Sequence, residues 1–255
     1  MSDELQIERS PGVVRVRFVR PHRHNAFTAE MYAGLHALCD ELAADSSVKV
    51  LVLTGAGGRA FAAGNEISDF LSRDAVAYED WIRDLLGKLY SLPQVTIAAI
   101  DGVCVGGGLA VASHCDLRIA TAHSRFGYPI AKTLGNALAA PIVYRCASVF
   151  GEPLTREMLL AARLVSADRA YAVGALTAVA ESADALADEL THLVDGILPL
   201  SRVTIGAAKS QLGAWSAALE VAPEGDEELL RAVYTGADFK EGVRAFLAKE
   251  KPAFG

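Results

Sequence analysis

The sequence spaces no cysteines for metal or redox work. Its four, Cys39, Cys104, Cys115 and Cys146, form no CxxC pair and lie in apolar stretches, so they read as buried free thiols, and no metal site is expected. No apolar run reaches the roughly 18 residues that a membrane-spanning helix needs, so no membrane partner is expected. Basic residues are outnumbered, 24 Lys and Arg against 31 Asp and Glu, for a net charge of -7. That balance counts against nucleic acid as a partner, because such binding is driven by a basic surface. The opening Met1-Ser2-Asp3-Glu4 is acidic and has no apolar stretch after it. It reads as neither a secretory signal nor a transit peptide, and a cytoplasmic location is expected. No GxSxG elbow occurs, and no internal repeat or low-complexity segment is visible.

What is present is ordinary globular composition, 52% hydrophobic and 22% charged over 255 residues, enough for a sizeable core. Val14, Val16 and Phe18 alternate with Arg15 and Arg17, a strand with one buried face. Thr28 has the character of a helix N-cap, and Met31, Leu35, Leu38 and Leu42 follow at helical spacing. Residues 48–53 are too apolar to be half exposed and predict a central strand, as do residues 95–100. Between them a helix is predicted over about 75–91, with Trp81, Ile82, Leu85 and Leu89 inward. A short helix is expected over 109–114 and a strand over 117–120. From about Glu152 the pattern becomes helix after helix, with Ser166 and Ser182 as N-caps and Tyr171 as buried packing. The reading is an α/β core over residues 1–200 with a helical region over 201–255.

Two turns of small residues each follow a strand. The first is Ala60-Phe61-Ala62-Ala63-Gly64-Asn65-Glu66, and the second is Gly106-Gly107-Gly108. Residues without bulk let backbone approach a ligand, and two converging N–H groups make an oxyanion hole of the kind that stabilises a thioester enolate. No GK[ST] follows the second turn, which excludes a P-loop. Residues 55–60 match GxGxxA after a strand, yet Phe61-Ala62-Ala63-Gly64-Asn65 then breaks the long helix that dinucleotide binding needs.

In this order the motifs resemble those of the enoyl-CoA hydratase/isomerase (crotonase) superfamily over nearly the whole chain. The matching stretches are Arg20-Pro21, Asn25-Ala26, Val52-Leu53-Thr54-Gly55, Ala60 to Gly64, Ala98 to Gly102, Gly106 to Gly108, Cys115 to Ala120, Phe126-Gly127, Leu164 to Ala170 and Lys240 to Leu247. The resemblance implies a spiral of ββα units with a C-terminal helical trimerisation region, as a homotrimer or hexamer. It implies an acyl-CoA substrate with coenzyme A as part of it and no other cofactor. The backbone N–H groups of Asn65 and Gly107 would form the oxyanion hole. Arg23, His24 and Ala26 would run beside the CoA nucleotide, with Ala62, Ala63, Gly64, Gly106 and Ile130 along the substrate. Phe246 and Lys249 would close the adenine pocket of a neighbouring subunit.

The departures concern the acid–base groups. Where hydratases of the family carry two glutamates, this sequence has Ala110 and Ile130. Neither moves a proton, and losing such a group typically costs ~10²–10⁴ in rate. Substitutes available in sequence are Tyr128, Glu66 and Asp69. Lys132, Thr133 and Asn136 lie in the segment that replaces the glutamate-bearing loop. His114, amid Ala112, Ser113 and Cys115, reads as a hydrogen-bonded core histidine. Isomerisation, atypical hydration, C–C cleavage and thioester hydrolysis all remain open, as does a non-catalytic acyl-CoA-binding member of the fold.

Overall fold

The structure is a computed structural model, and it describes residues 3–67, 75–219 and 221–255. Strand pairs alternate with helices along the chain. β1 (Leu5–Ser10) and β2 (Val13–Phe18) lead to α1 (Ala29–Ala44), and β3 (Val50–Gly55) and β4 (Ala60–Ala63) precede α2 (Ala75–Ser91). β5 (Val95–Ile100) and β6 (Val103–Val105) lead to α3 (Gly107–Ser113). β7 (Leu117–Thr121) and β8 (Arg125–Gly127) lead to α4 (Ile130–Thr133) and α5 (Ala140–Leu160). From the second pair onward, the first strand joins a six-stranded sheet of order β1-β2-β3-β5-β7-β10, and the second joins a four-stranded sheet of order β4-β6-β8-β9. This is the expected spiral of ββα units.

The central strands follow from their side chains. β3 and β5 pair in parallel, and β5 is buried at every position. A parallel strand covered on both faces needs apolar residues throughout rather than alternation. Val50, Val52 and Ile97 pack outward against Val194 and Ile197, whereas Leu51, Leu53, Ala98 and Ile100 face the main core. α1 begins where Thr28 accepts a hydrogen bond from the Met31 N–H, and it buries Met31, Leu35, Leu38 and Leu42. All four cysteines are buried and free. Burial pushes the Cys39 and Cys115 thiols up to about 12, which keeps them protonated and unreactive.

The second half differs from the expected run of helices. α5 starts at Ala140 and crosses Glu152, bending at Gly151 (φ 74) beside Pro153. Two short strands, β9 (Val165–Ser166) and β10 (Ala178–Ala180), flank α6 (Ala167–Ala172). At such lengths no periodicity can appear; their pairing with β8 and β7 makes them strands. α7 (Ala183–Ile197), α8 (Arg202–Leu219), α9 (Asp226–Thr235) and α10 (Ala237–Ala248) complete the chain. Ser166 and Ser182 cap α6 and α7 as expected. Tyr171 does not pack inside: α6 buries Ala167 and Ala170, and Tyr171 beside them is 54% exposed. Trp81 is half-buried against the core. The predicted helix over 109–114 begins at Gly107, so its first turn includes the second small-residue turn. Among the described residues no helix is long and apolar enough to cross a membrane.

Candidate active site

Phe27 fixes the first turn. It forms a parallel bridge with Asn65: its N–H donates to Gly64 O at 2.8 Å, and the Glu66 N–H donates to Phe27 O at 2.7 Å. In such a bridge the flanking residues make the bonds, so the N–H of Asn65 itself points away from Phe27. Behind the bridge, Phe18, Phe27 and Phe61 pack edge to face at centroid distances of 4.8 and 5.3 Å. The Asn65 side chain is held as well, its Oδ1 accepting from the Tyr32 hydroxyl at 2.6 Å.

The second turn sits on the end of β6. Gly106 has φ 54, and a Cβ there would lie 3.2 Å from Gly64 Cα, so the two turns meet backbone to backbone. Gly107 opens α3, where first-turn N–H groups have no acceptor within the helix. The Ala110 N–H takes Gly106 O at 3.0 Å, leaving the Gly107 N–H ahead of the hydrogen-bonded ladder. A Cβ at Gly107 would fall on Asn65 Oδ1 and Tyr32 Oη.

Asn25 braces the entry loop. It is fully buried at φ 56; its Oδ1 accepts the Arg20 N–H at 2.9 Å, and its Nδ2 donates to Ala56 O and Ala60 O at 2.9 and 2.7 Å. That is the use of the GxGxxA stretch: it leads into strand β4, not a helix, and its carbonyls hold the loop. Asn25→Ala strands these groups in the interior. It is expected to cost about 3 kcal/mol, read as a lower urea midpoint at unchanged m-value.

Both turns open onto one cleft of about 460 Å³. Of the residues singled out in the sequence, Arg23, His24, Ala26, Ala63, Gly64, Asn65, Glu66, Gly106, Gly107, Ile130 and Phe246 line it, as do Ala110, Thr133 and Asn136. Phe246 is half exposed at the rim rather than in the core. Ala62 is fully buried in β4 behind the wall. Lys249 ends α10 in a left-handed turn, φ 57, outside the cleft wall. Lys132 is exposed on α4 and also lies off the wall.

Two acid–base expectations meet a different placement. Tyr128 is not on the cleft wall; like Phe126, it belongs to the main core and has no exposure. Burial holds its phenol well above the usual tyrosine range. Glu66 does reach the cleft, but Arg20 holds its Oε2 at 3.0 Å and Arg23 approaches at 3.8 Å. That oxygen is engaged by guanidinium groups rather than turned to a substrate atom. Asp69 lies outside the described residues. His114 is buried, with Nδ1 on Ala110 O at 2.7 Å, and burial pushes its imidazole down to about 4.

The cleft also contains a carboxyl group that the sequence reading passed over. Glu79 of α2 is 4% exposed and lies on the wall with Ile82, one turn on, and with Ala110. Its Oε1 accepts from the Tyr234 hydroxyl of α9 at 2.7 Å. Burial pushes Glu79 up to about 7, moderated by the Tyr234 hydrogen bond. The available signal was positional: a glutamate on a helix face otherwise made of Tyr78, Ile82, Leu85, Leu86 and Leu89.

A family model described as enoyl-CoA hydratase/isomerase matches residues 8–255. A Thermus thermophilus protein described as a candidate enoyl-CoA hydratase is 34% identical over 98% of this chain and 100% of its own. The crystal structure of an enoyl-CoA hydratase/carnithine racemase from Magnetospirillum magneticum superposes with a TM-score of 0.80 at 32% identity, covering 100% of this chain and 96% of that one. A methylmalonyl-CoA decarboxylase in complex with 2-nitronate-propionyl-CoA superposes with a TM-score of 0.90 at 25% identity, covering 100% and 99%.

Proposed function

Because this chain belongs to the enoyl-CoA hydratase/isomerase family, we propose that the cleft binds an acyl-CoA and stabilises the enolate of its thioester. The observation that carries this reading is the meeting of two turns whose Asn65 and Gly107 N–H groups are left for a ligand. A thioester oxygen between them gains charge as the enolate forms, and one such donor is worth roughly 3–4 kcal/mol at that stage. Arg23 and His24 at the mouth suit the phosphates of the CoA nucleotide, while Ile82, Leu134, Leu138 and Ile142 give the inner end the apolar character of an acyl chain. Coenzyme A enters as part of the substrate, and the chemistry needs no other cofactor.

Ala110 and Ile130, where the resemblance puts glutamates in hydratases, line the cleft and neither can move a proton, so the proposal does not rest on two-glutamate hydration. The same substitution favours a second reading, a protein that binds acyl-CoA without turning it over. An oligomer is part of the proposal. Leu212 and Trp215, one turn apart on α8, are each 60% exposed, apolar surface that a trimer or a hexamer would cover. Light scattering is expected to return three or six times the 26.9 kDa chain mass.

The deciding experiment offers saturated, 2-enoyl, 3-enoyl and 3-hydroxyacyl-CoAs to the protein in deuterated water and reads products by mass. Uptake of deuterium at the α-carbon is expected. Tight binding with neither exchange nor product would favour the non-catalytic reading.

A further inference from the structure

We propose that Glu79 is the catalytic proton-transfer residue of this cleft, the group that takes and returns the proton when an acyl-CoA such as a β,γ-unsaturated one is isomerised in this family. The inference rests on the reading of the cleft as a thioester enolate site. It adds the one group that reading lacks.

The geometry ties Glu79 to the two N–H donors. Tyr32 of α1 bonds Asn65 Oδ1 at 2.6 Å, and its ring meets those of Tyr78 and Trp81 at 6.5 and 6.1 Å. Glu79 lies between those two aromatics in sequence and opens on the same cleft as Asn65, Gly107 and Ala110. The adjoining wall offers only apolar groups at Ala110 and Ile130. Glu66, the other carboxylate on the cleft wall among the described residues, is committed to Arg20. Glu79 Oε1 is taken by Tyr234, which leaves Oε2 for a substrate atom.

The surroundings of Glu79 suit both of its protonation states. The Tyr234 hydroxyl lies 2.7 Å from Glu79 Oε1 and 3.1 Å from Ala137 O. It has one proton to give. With Glu79 ionised, that proton serves the carboxylate. With Glu79 protonated on Oε2, the hydroxyl proton can stay on Oε1 or turn to Ala137 O, so the buried hydroxyl keeps an acceptor in either state. A structural carboxylate needs only the first arrangement, whereas a residue that takes and returns a proton needs both. The charged and titratable groups that act on Glu79 are Asp80 and Arg83 of its own helix, Tyr234 of α9 and Tyr32 of α1. Asp80 disfavours the carboxylate, Arg83 favours it, and burial outweighs both, so Glu79 changes state near neutral pH.

The step balances without a co-reactant. The Glu79 carboxylate takes a proton from the α-carbon. The C–H pair moves into the bond to the thioester carbon, and the charge rests on the oxygen held by Asn65 and Gly107. The enolate's electrons then pass along the conjugated chain to the γ-carbon, which takes the proton back from Glu79. The double bond moves from the β,γ to the α,β position, and the carboxylate is regenerated. One base suffices, so this reaction does not need the pair of glutamates that hydration in the family uses.

The test uses the whole protein with 3-hexenoyl-CoA as substrate and hexanoyl-CoA as the binding and exchange probe. Wild type is expected to form 2-hexenoyl-CoA, with kcat/KM rising through an apparent pKa near 7. Glu79→Gln keeps the Tyr234 acceptor and is expected to lose about 10²–10⁴-fold in kcat while still binding hexanoyl-CoA. Tyr234→Phe removes a hydrogen bond from the carboxylate and is expected to move the pH limb upward without abolishing turnover. Tyr234 is thus a positioning residue. Glu79→Gln as active as wild type, or inactive through lost hexanoyl-CoA binding, would overturn the assignment while leaving the oxyanion reading intact. A pH limb unmoved in Tyr234→Phe would also overturn it. Wild type that binds hexanoyl-CoA but neither isomerises 3-hexenoyl-CoA nor exchanges an α-hydrogen would overturn both.

Discussion

Proline at position 107 is expected to slow α-proton exchange about 10²–10³-fold relative to alanine at the same position, once both are given room. The room matters. A Cβ at Gly107 would fall on Asn65 Oδ1 and Tyr32 Oη, so any substitution in the native background disturbs the site for steric reasons alone. Asn65→Gly with Tyr32→Phe removes both obstructing atoms and keeps the Asn65 N–H. In that background Gly107→Ala retains the second donor, and Gly107→Pro deletes it. Proline is accepted at the first residue of a helix, where its missing N–H breaks no intrahelical bond. The pair therefore differs at the N–H itself, which proline replaces with its ring Cδ, so the donor is lost and its place at the thioester oxygen is filled. Deuterium incorporation into hexanoyl-CoA, followed by mass, gives the ratio. Equal rates in two folded variants would mean that Gly107 is not a donor to the enolate.

Such a design follows from the structure and not from the sequence alone, and the division is instructive. The strands β2, β3 and β5 were legible because their side chains report whether one face or both are covered. The cap at Thr28 was legible because capping is local chemistry. β9 and β10 were not, since strands of two and three residues exist through the partners they find. At the site, the turns were legible as small residues after strands, but that Gly107 touches Asn65 and Tyr32 depends on how the two ββα units stack. Tyr128 illustrates the limit of a neighbour's position. Pro129 and Ile130 face the cleft, yet the phenol beside them points into the core, and sequence does not say on which side of a turn a residue falls. Glu79 shows the converse. It stands at a buried position of α2 among apolar residues, a pattern violation that periodicity exposes once the helix is searched for exceptions rather than for agreement.

The violation has a thermodynamic signature separate from catalysis. Burial raises Glu79 from 4.5 to about 7, so between those values the folded state holds a proton that the unfolded state has released. Stability from this group is complete below pH 4.5 and is lost as pH rises through 7, by about 3 kcal/mol. His114 works in the opposite sense. Its imidazole falls from 6.5 to about 4, so its contribution is complete above 6.5 and is lost as pH falls through 4, by a similar ~3 kcal/mol. Over the shared window the two slopes nearly cancel, and a flat wild-type profile would conceal both. The difference between Glu79→Gln and wild type removes the histidine term, because His114 is common to the two proteins. A glutamine cannot ionise, so the variant is expected to gain on wild type as pH rises from 4.5 to 8. The pH-dependent part of the gap in melting temperature should reach roughly 6–12 °C for a chain of this size. Any constant offset reports only how well the amide packs against Tyr234. A gap that stays the same at every pH would show that Glu79 does not change charge near neutrality in the folded protein.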